Sequence, residues 1–204
     1  MNWKIFFKHN KLSFSVLSVF FLITLTVIYF FLIYVEKREG VVLNDPFLNL
    51  FNSYDVSIPL FILTYGGTVF GVVNALKKPS LAILTAITYM LVLWLRMICM
   101  YLTPLEPPEH IIPLRDFILE STFYSGNVNL KDLFFSGHTA SMFLFYITND
   151  NKKIKYIYLL VTLLVASFVL VQHAHYTIDV LVAPVMVWFA YKIANNLKAV
   201  FFKF

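Results

Sequence analysis

Residues 13–35 read SFSVLSVFFLITLTVIYFFLIYV and contain no charged side chain. A helix of about 20 apolar residues is long enough to cross the ~30 Å hydrocarbon core of a bilayer. The run is too long for the apolar part of a signal peptide and lacks a small-residue cleavage site, so it predicts a retained membrane span. Because 60% of the whole chain is hydrophobic and only 13% is charged, the sequence is that of an integral membrane protein.

Five further apolar segments predict an all-α, polytopic membrane protein with six transmembrane helices. The segment at 138–148 is short for a span, whereas the others approach the length that a bilayer requires. No repeat, low-complexity tract or soluble domain is visible, so residues 1–204 are predicted to form a single six-span membrane domain. The five segments cover residues 57–76, 79–102, 138–148, 154–172 and 178–197.

The distribution of lysine and arginine favours a topology with both termini in the cytoplasm. With six spans and an inside amino terminus, 11 of the 16 basic residues fall on the cytoplasmic side, as the positive-inside rule predicts. The net charge of +5 therefore reflects topology and not nucleic-acid binding, because the basic residues lie in short clusters between spans. On the outer side, LRDFILE at 114–120 predicts a short amphipathic helix at the membrane surface.

His175 and Asp179 lie four residues apart in VQHAHYTIDV, residues 171–180. On a helix this spacing places both side chains on one face, where the carboxylate can orient the imidazole. An ionisable pair at the membrane is costly and is therefore a candidate functional site. The alternative is a structural hydrogen bond that closes a tight outer turn. His173, two residues earlier, is interpreted as a loop residue.

The second polar motif is LKDLFFSGHTASMF, residues 130–143. Ser136 and Gly137 precede a predicted helix that begins at His138 or Thr139. Its amino-terminal N–H groups and dipole would attract an anion such as phosphate. By the topology count, His138 and His175 lie at the same membrane depth on the outer side.

Two histidines, an aspartate and a helix amino terminus suit phosphoryl transfer at a lipid head group. One imidazole can attack phosphorus while the other protonates the departing oxygen. Arg96, near the outer end of the third span, can add a positive charge for a phosphate oxygen or can extend its side chain toward the head groups. Either way its position predicts a counter-ion. Glu120 is either a residue near this site or part of a solvated acidic loop.

The sequences FSGHT at 135–139 and HYTID at 175–179 resemble the two catalytic motifs of the sphingomyelin synthase branch of the type 2 phosphatidic acid phosphatase superfamily. The neighbouring DLFFSGHT, from 132, and RMICMYLTPL, from 96, extend the resemblance, which covers residues 96–183. It implies a six-helix enzyme with its active site on the exoplasmic side of the membrane.

The resemblance also implies a role for each site residue. It makes His175 the nucleophile, Asp179 its partner and His138 the general acid and base. Asp132 matches an acidic residue of the branch and would complete a proton relay. Enzymes of this branch use no metal, and no cofactor is expected.

The departures from the superfamily pattern concern phosphate-binding cations. Superfamily phosphatases carry an arginine several residues before the second histidine, but residues 168–171 here read FVLV. Fewer cations favour a phosphodiester over a dianionic phosphomonoester. The sequence therefore predicts a transferase that moves a phospho-head group from a phospholipid donor to a ceramide- or diacylglycerol-like alcohol.

Two alternatives stay open. The first is a lipid phosphatase or phospholipase-C-like hydrolase acting on phosphatidate, an isoprenyl pyrophosphate or a phospholipid. The second is a catalytically silent membrane protein that binds lipid, against which the complete set of two histidines and one aspartate argues. The head group, the acceptor and the oligomeric state are left undetermined.

Overall fold

Six α-helices form the fold in the computed structural model, which describes residues 2–114 and 129–204. No extended strand occurs in that part of the chain, which confirms the prediction of an all-α protein there. A 3₁₀ turn at Leu48–Leu50 lies in the first long connection. The helices are α1 (Trp3–Lys37), α2 (Ser57–Leu76), α3 (Pro79–Leu102), α4 (Gly137–Thr148), α5 (Lys152–Val171) and α6 (Thr177–Phe201).

Five of these helices are long and apolar enough to cross a membrane, which supports an integral membrane protein. The exception is α4, whose 12 residues span only about 18 Å at the α-helical rise of ~1.5 Å per residue. Six spans with cytoplasmic termini therefore remain a prediction. The predicted amphipathic helix at 114–120, including Glu120, lies almost entirely outside the described residues.

The short helix α4 lies in the middle of the bundle, where it packs against α2, α3, α5 and α6. Its buried side chains include Met142 and Leu144, which join a core cluster with Val92 of α3 and Val187 of α6. Protein surrounds α4 on these sides, so the irregular backbone that precedes it can be satisfied by protein groups and not by lipid. By contrast, α1 and α2 both pack on α3 and have little contact with each other.

The amino-terminal helix begins ten residues before the predicted span and is kinked at Asn10. The Asn10 side chain accepts a hydrogen bond from the Lys203 N–H (2.7 Å) and donates one to the Lys203 carbonyl (2.8 Å). Phe6 stacks nearby on Phe202 and Phe204. The first turns of α1 are therefore held by the carboxyl-terminal segment, which a count of apolar residues cannot reveal.

The connections at 38–56, 103–114, 129–136 and 172–176 all lie at one end of the bundle, which we call the loop end. There Arg38 donates to the carbonyls of Met100 (2.5 Å) and Tyr101 (2.9 Å) at the end of α3. Glu36 accepts the backbone N–H groups of Leu130 and Lys131 at 3.0 and 3.1 Å. These contacts fix the segment that leads into α4 across the end of α3.

Candidate active site

His175 and Asp179 meet where the chain turns from α5 into α6. Asp179 lies in the first turn of α6, and its Oδ2 accepts the backbone N–H of Tyr176, the residue that precedes the helix (3.0 Å). The same oxygen lies 3.4 Å from Nδ1 of His175. Asp179 is fully buried and His175 is 4% exposed. Helix capping thus fixes the position of the Asp179 carboxylate. The carboxylate in turn orients the His175 imidazole, so that Nε2 points away from Asp179.

His138 occupies the first turn of α4, which is capped by Ser136. The Ser136 hydroxyl accepts the Thr139 N–H at 3.4 Å and donates to the Thr139 hydroxyl at 3.1 Å. The two sequence motifs are joined directly, because the Ser136 N–H donates to the backbone carbonyl of Asp179 at 3.1 Å. The structure thus brings His138 to His175, with ring centroids 6.5 Å apart.

Arg96 is buried at the loop end of α3 and has a counter-ion, as its position in the sequence predicted. Its guanidinium pairs with Asp132 at 2.5 Å, and its Nε donates to the Phe135 carbonyl at 3.0 Å. A Cβ atom added at Gly137 would lie 2.8 Å from Cζ of Arg96. The guanidinium therefore lies directly on the backbone of α4, and glycine at this position leaves the space for it.

A cavity of about 570 Å³ has these side chains at one end. His138, His175, Arg96 and Asp132 line it at the loop end, and mostly apolar side chains of α1, α2, α3 and α4 line the rest. Along α3 its lining runs from Arg96 to Ala82, which is about 21 Å at ~1.5 Å per residue. We call it the catalytic cavity; its shape suits a molecule with a polar head and a long apolar tail.

The other predicted site residues that the structure describes hold the two histidines and Arg96 in place. Asp132 pairs with Arg96, Ser136 caps α4, and Gly137 supports the guanidinium. Glu120 lies outside the described residues. Among the residues that the structure describes, no group of three or more histidine, cysteine or acidic side chains is placed to hold a metal ion.

Asp45 is a site-supporting residue that the sequence analysis missed. Its carboxylate accepts the backbone N–H (2.6 Å) and the hydroxyl (3.0 Å) of Thr177, at the start of α6, and the N–H groups of Phe47 and Leu48. Burial raises the pKa of Asp45, but these hydrogen bonds outweigh burial and leave the pKa below its ordinary value of 3.8. Asp45 and Thr177 are 132 positions apart in the sequence, so no local signal marks this contact.

Tyr176 and Glu106 connect the same loops. The Tyr176 hydroxyl donates to the Glu106 carbonyl (2.9 Å) and accepts the Leu43 N–H (3.1 Å). The Glu106 carboxylate pairs with Lys131 at 2.6 Å, and that hydrogen bond lowers the pKa of Glu106. The connection at 172–176, which carries His175 and which we call the catalytic loop, is therefore tied to both long connections at the loop end.

Comparison with known proteins finds a match between part of the chain and one protein family. Residues 131–196 match the family described as PAP2 superfamily C-terminal. This stretch contains His138, His175 and Asp179, and it runs from α4 to most of α6. No curated protein and no solved structure matches the chain. The family match supports the type 2 phosphatidic acid phosphatase superfamily, and with it a lipid phosphatase or phosphotransferase embedded in the membrane.

Proposed function

We propose that this protein transfers a phospho-head group from a phospholipid to a ceramide- or diacylglycerol-like alcohol through a phosphohistidine. The proposal is supported by the position of His138 and His175, which lie next to each other at the loop end of a long, mostly apolar cavity. The centroid separation of 6.5 Å is compatible with one phosphoryl group in contact with both rings, and the apolar walls suit the lipid tails.

In the first step, Nε2 of His175 attacks phosphorus and forms a P–N bond. His175 Nδ1 carries its proton toward Asp179, which stabilises the positive charge that develops on the ring. The bond from phosphorus to the diacylglycerol oxygen breaks, and His138, on the opposite side of the phosphoryl group, protonates that oxygen. Diacylglycerol leaves, and the phospho-head group stays on His175.

In the second step, His138 removes the proton from the hydroxyl of the acceptor alcohol. The resulting oxygen attacks the phosphohistidine, the P–N bond breaks, and the new phosphodiester leaves. His175 and His138 return to their starting protonation states. A water molecule in place of the alcohol would give hydrolysis by the same route.

The charge of the site supports a diester substrate. Among the described residues, Arg96 is the only lysine or arginine that lines the catalytic cavity, and Asp132 pairs with it. Pairing with Asp132 weakens the attraction of Arg96 for any phosphate group. The loss of attraction is larger for a dianionic monoester than for a diester with a single negative charge, so the site favours the diester. The amino terminus of α4 adds a favourable dipole for the diester.

The family match favours a second candidate, a lipid phosphatase or phospholipase-C-like hydrolase. In that case the substrate is phosphatidate, an isoprenyl pyrophosphate or a phospholipid, and water is the acceptor. In both cases we place the active site on the exoplasmic side, because the loop end carries most of the acidic residues and the opposite end most of the basic ones.

The decisive experiment uses the purified full chain in mixed micelles with a phospholipid labelled in its head group, with and without ceramide. We expect the label on ceramide, and at least a 10³-fold loss of transfer in His175→Ala, since removal of a covalent nucleophile has effects of about this size. His9→Ala, which changes an exposed histidine of α1, is the matched control and should keep full activity.

Each other outcome identifies an alternative. Release of free phosphorylated head group, with or without ceramide, would identify a phospholipase-C-like hydrolase. Phosphate released from phosphatidate with no turnover of the diester would identify a phosphatase. No turnover of any of these substrates by the unaltered protein would contradict an enzymatic role.

A further inference from the structure

A second cavity, of about 590 Å³, lies at the loop end, and none of the described residues lines both it and the catalytic cavity. We call it the outer pocket. Its mouth is formed by exposed side chains such as Asn52 and Glu109, and its floor by buried ones such as His173 and Tyr176. The lining residues are Val42, Leu43, Asn44, Asp45, Leu48, Asn49, Phe51, Asn52, Pro108, Glu109, His110, His173 and Tyr176.

His173, in the floor, has an unmet hydrogen-bonding atom. The side chain is 4% exposed, and its Nδ1 lies 3.3 Å from the backbone carbonyl of Glu109. A carbonyl only accepts, so Nδ1 carries the proton and Nε2 of the neutral ring presents a lone pair. Nε2 is buried and has no partner among the described residues. A buried acceptor without a donor is destabilising, and a ligand that brings an N–H would satisfy it.

The remaining polar groups of the outer pocket are the carboxylates of Asp45 and Glu109, the asparagine amides, the His110 imidazole and the Tyr176 hydroxyl, whose proton is already donated to the Glu106 carbonyl. The Glu109 carboxylate has no hydrogen bond to any described residue, and three asparagines line the wall. Of the residues that the structure describes, no lysine or arginine lines the pocket. The ring of Phe51 packs edge-on against His173, with centroids 5.3 Å apart. Such a site repels anions and favours a cation with N–H donors, with an aromatic ring beside it.

We infer that the outer pocket binds a primary ammonium group, which donates to Nε2 of His173 and to the carboxylate of Glu109. The ammonium comes either from a small free amine or from the head group of an amine-bearing phospholipid. This site is independent of the proposed transfer reaction. It is adjacent to the catalytic loop, because Tyr176 lines the pocket and donates its N–H to Asp179.

Saturation-transfer NMR on the purified full chain in nanodiscs of phosphatidylcholine tests this site, with ethanolamine as the probe at neutral pH. We expect a saturable ethanolamine signal that falls at least fivefold in Glu109→Gln and in His173→Asn. Asparagine is chosen at 173 because the residue has a φ of 52°, which asparagine tolerates. Glu39→Gln, a change of an exposed acid outside the pocket, should leave the signal unchanged.

Glu109→Gln keeps the test decisive even if His173→Asn fails to fold, because the Glu109 side chain is exposed and has no partner to lose among the described residues. An undiminished signal in Glu109→Gln would overturn the inference. So would equal binding of choline, which has no N–H, or competition by inorganic phosphate. His175→Ala should keep the ethanolamine signal, which separates this site from failure of the proposed reaction.

Nanodiscs that contain phosphatidylethanolamine distinguish the two sources of the ammonium. If the lipid head group is the natural occupant, these discs should abolish the signal of free ethanolamine. If the signal persists unchanged in them, the natural occupant is a small free amine.

Discussion

The two ends of the helix bundle use charge in different ways. At the loop end, the side chains of the Arg96–Asp132 pair are 8% and 18% exposed, and the pair is connected to α4 through Phe135 and Gly137. At the opposite end, the side chains of the Lys78–Asp150 pair are 63% and 57% exposed. Buried charges persist only where partners compensate the loss of water, so the loop end contains a built polar site and the opposite end a solvated ion pair.

The largest loss of stability is expected for Asp132→Asn, which disrupts the buried ion pair at the loop end. The change keeps the shape of the side chain but leaves the Arg96 guanidinium buried without a counter-ion, which typically costs about 3–5 kcal/mol. The measurement is thermal unfolding of the purified protein in detergent, compared with the unaltered chain. A change in Tm no larger than that for Lys78→Ala would contradict the view that the buried pair holds the loop end.

The second effect is expected from Gly137→Ala, which adds a methyl group where the guanidinium of Arg96 lies. Displacement of the guanidinium should cost about 1–3 kcal/mol, as overpacking does elsewhere, and should reduce the proposed transfer activity because α4 carries His138. Gly66→Ala is the matched control, since a Cβ there meets nothing within 4 Å. Alanine at 66 should be neutral or slightly stabilising in the helix. Equal results for the two variants would refute close packing at Gly137.

The third prediction is a pH-dependent effect of Asp45→Asn. Because the folded pKa of Asp45 lies below its ordinary value of 3.8, the ionised carboxylate stabilises the fold at neutral pH. This contribution is present above pH 3.8 and is lost as the pH falls through the folded pKa. Loss of the contacts to the start of α6 should cost about 1 kcal/mol.

The measurement for Asp45 is the difference in Tm between the two proteins as a function of pH. The difference should be largest at neutral pH and should shrink at the acid end of the titration. Glu39→Gln, an exposed acid on the same loop end, provides the baseline. A difference that is constant with pH would show that the charge of Asp45 is not the stabilising element.

The smallest effect is expected from Lys78→Ala at the opposite end. Exposed ion pairs contribute little, so the loss should be below about 0.5 kcal/mol and should vanish in high salt. Thermal unfolding at low and high ionic strength measures both. A salt-independent loss as large as that for Asp132→Asn would remove the distinction between the two ends.

Much of the helical pattern was predictable because it follows from local composition. The segments 57–76 and 79–102 agree with α2 and α3 at both ends. The start of α1 was missed, because Asn10 binds a backbone nearly 200 residues away. The predicted segment at 138–148 agrees with α4 to within one residue, but its central position among the other helices depends on packing that local pattern does not encode.

The residues of the candidate site that belong to sequence motifs could be predicted from the sequence. His138, His175 and Asp179 were expected together, and Arg96 was expected to have a counter-ion. The identity of that counter-ion, Asp132, and the contact between Ser136 and Asp179 depend on tertiary structure. Asp45 and Tyr176 act through backbone groups of distant segments, which any sequence can provide, so no residue pattern marks them.

The sparse contact between α1 and α2 affects how the proposed reaction should be measured. Side chains of both helices line the catalytic cavity, yet the helices have little contact with each other. A lipid that enters between them arrives by lateral diffusion within the membrane and not from bulk water. The rate of the proposed transfer should therefore follow the mole fraction of substrate in the micelle or bilayer, and should fall when inert detergent is added at constant total substrate.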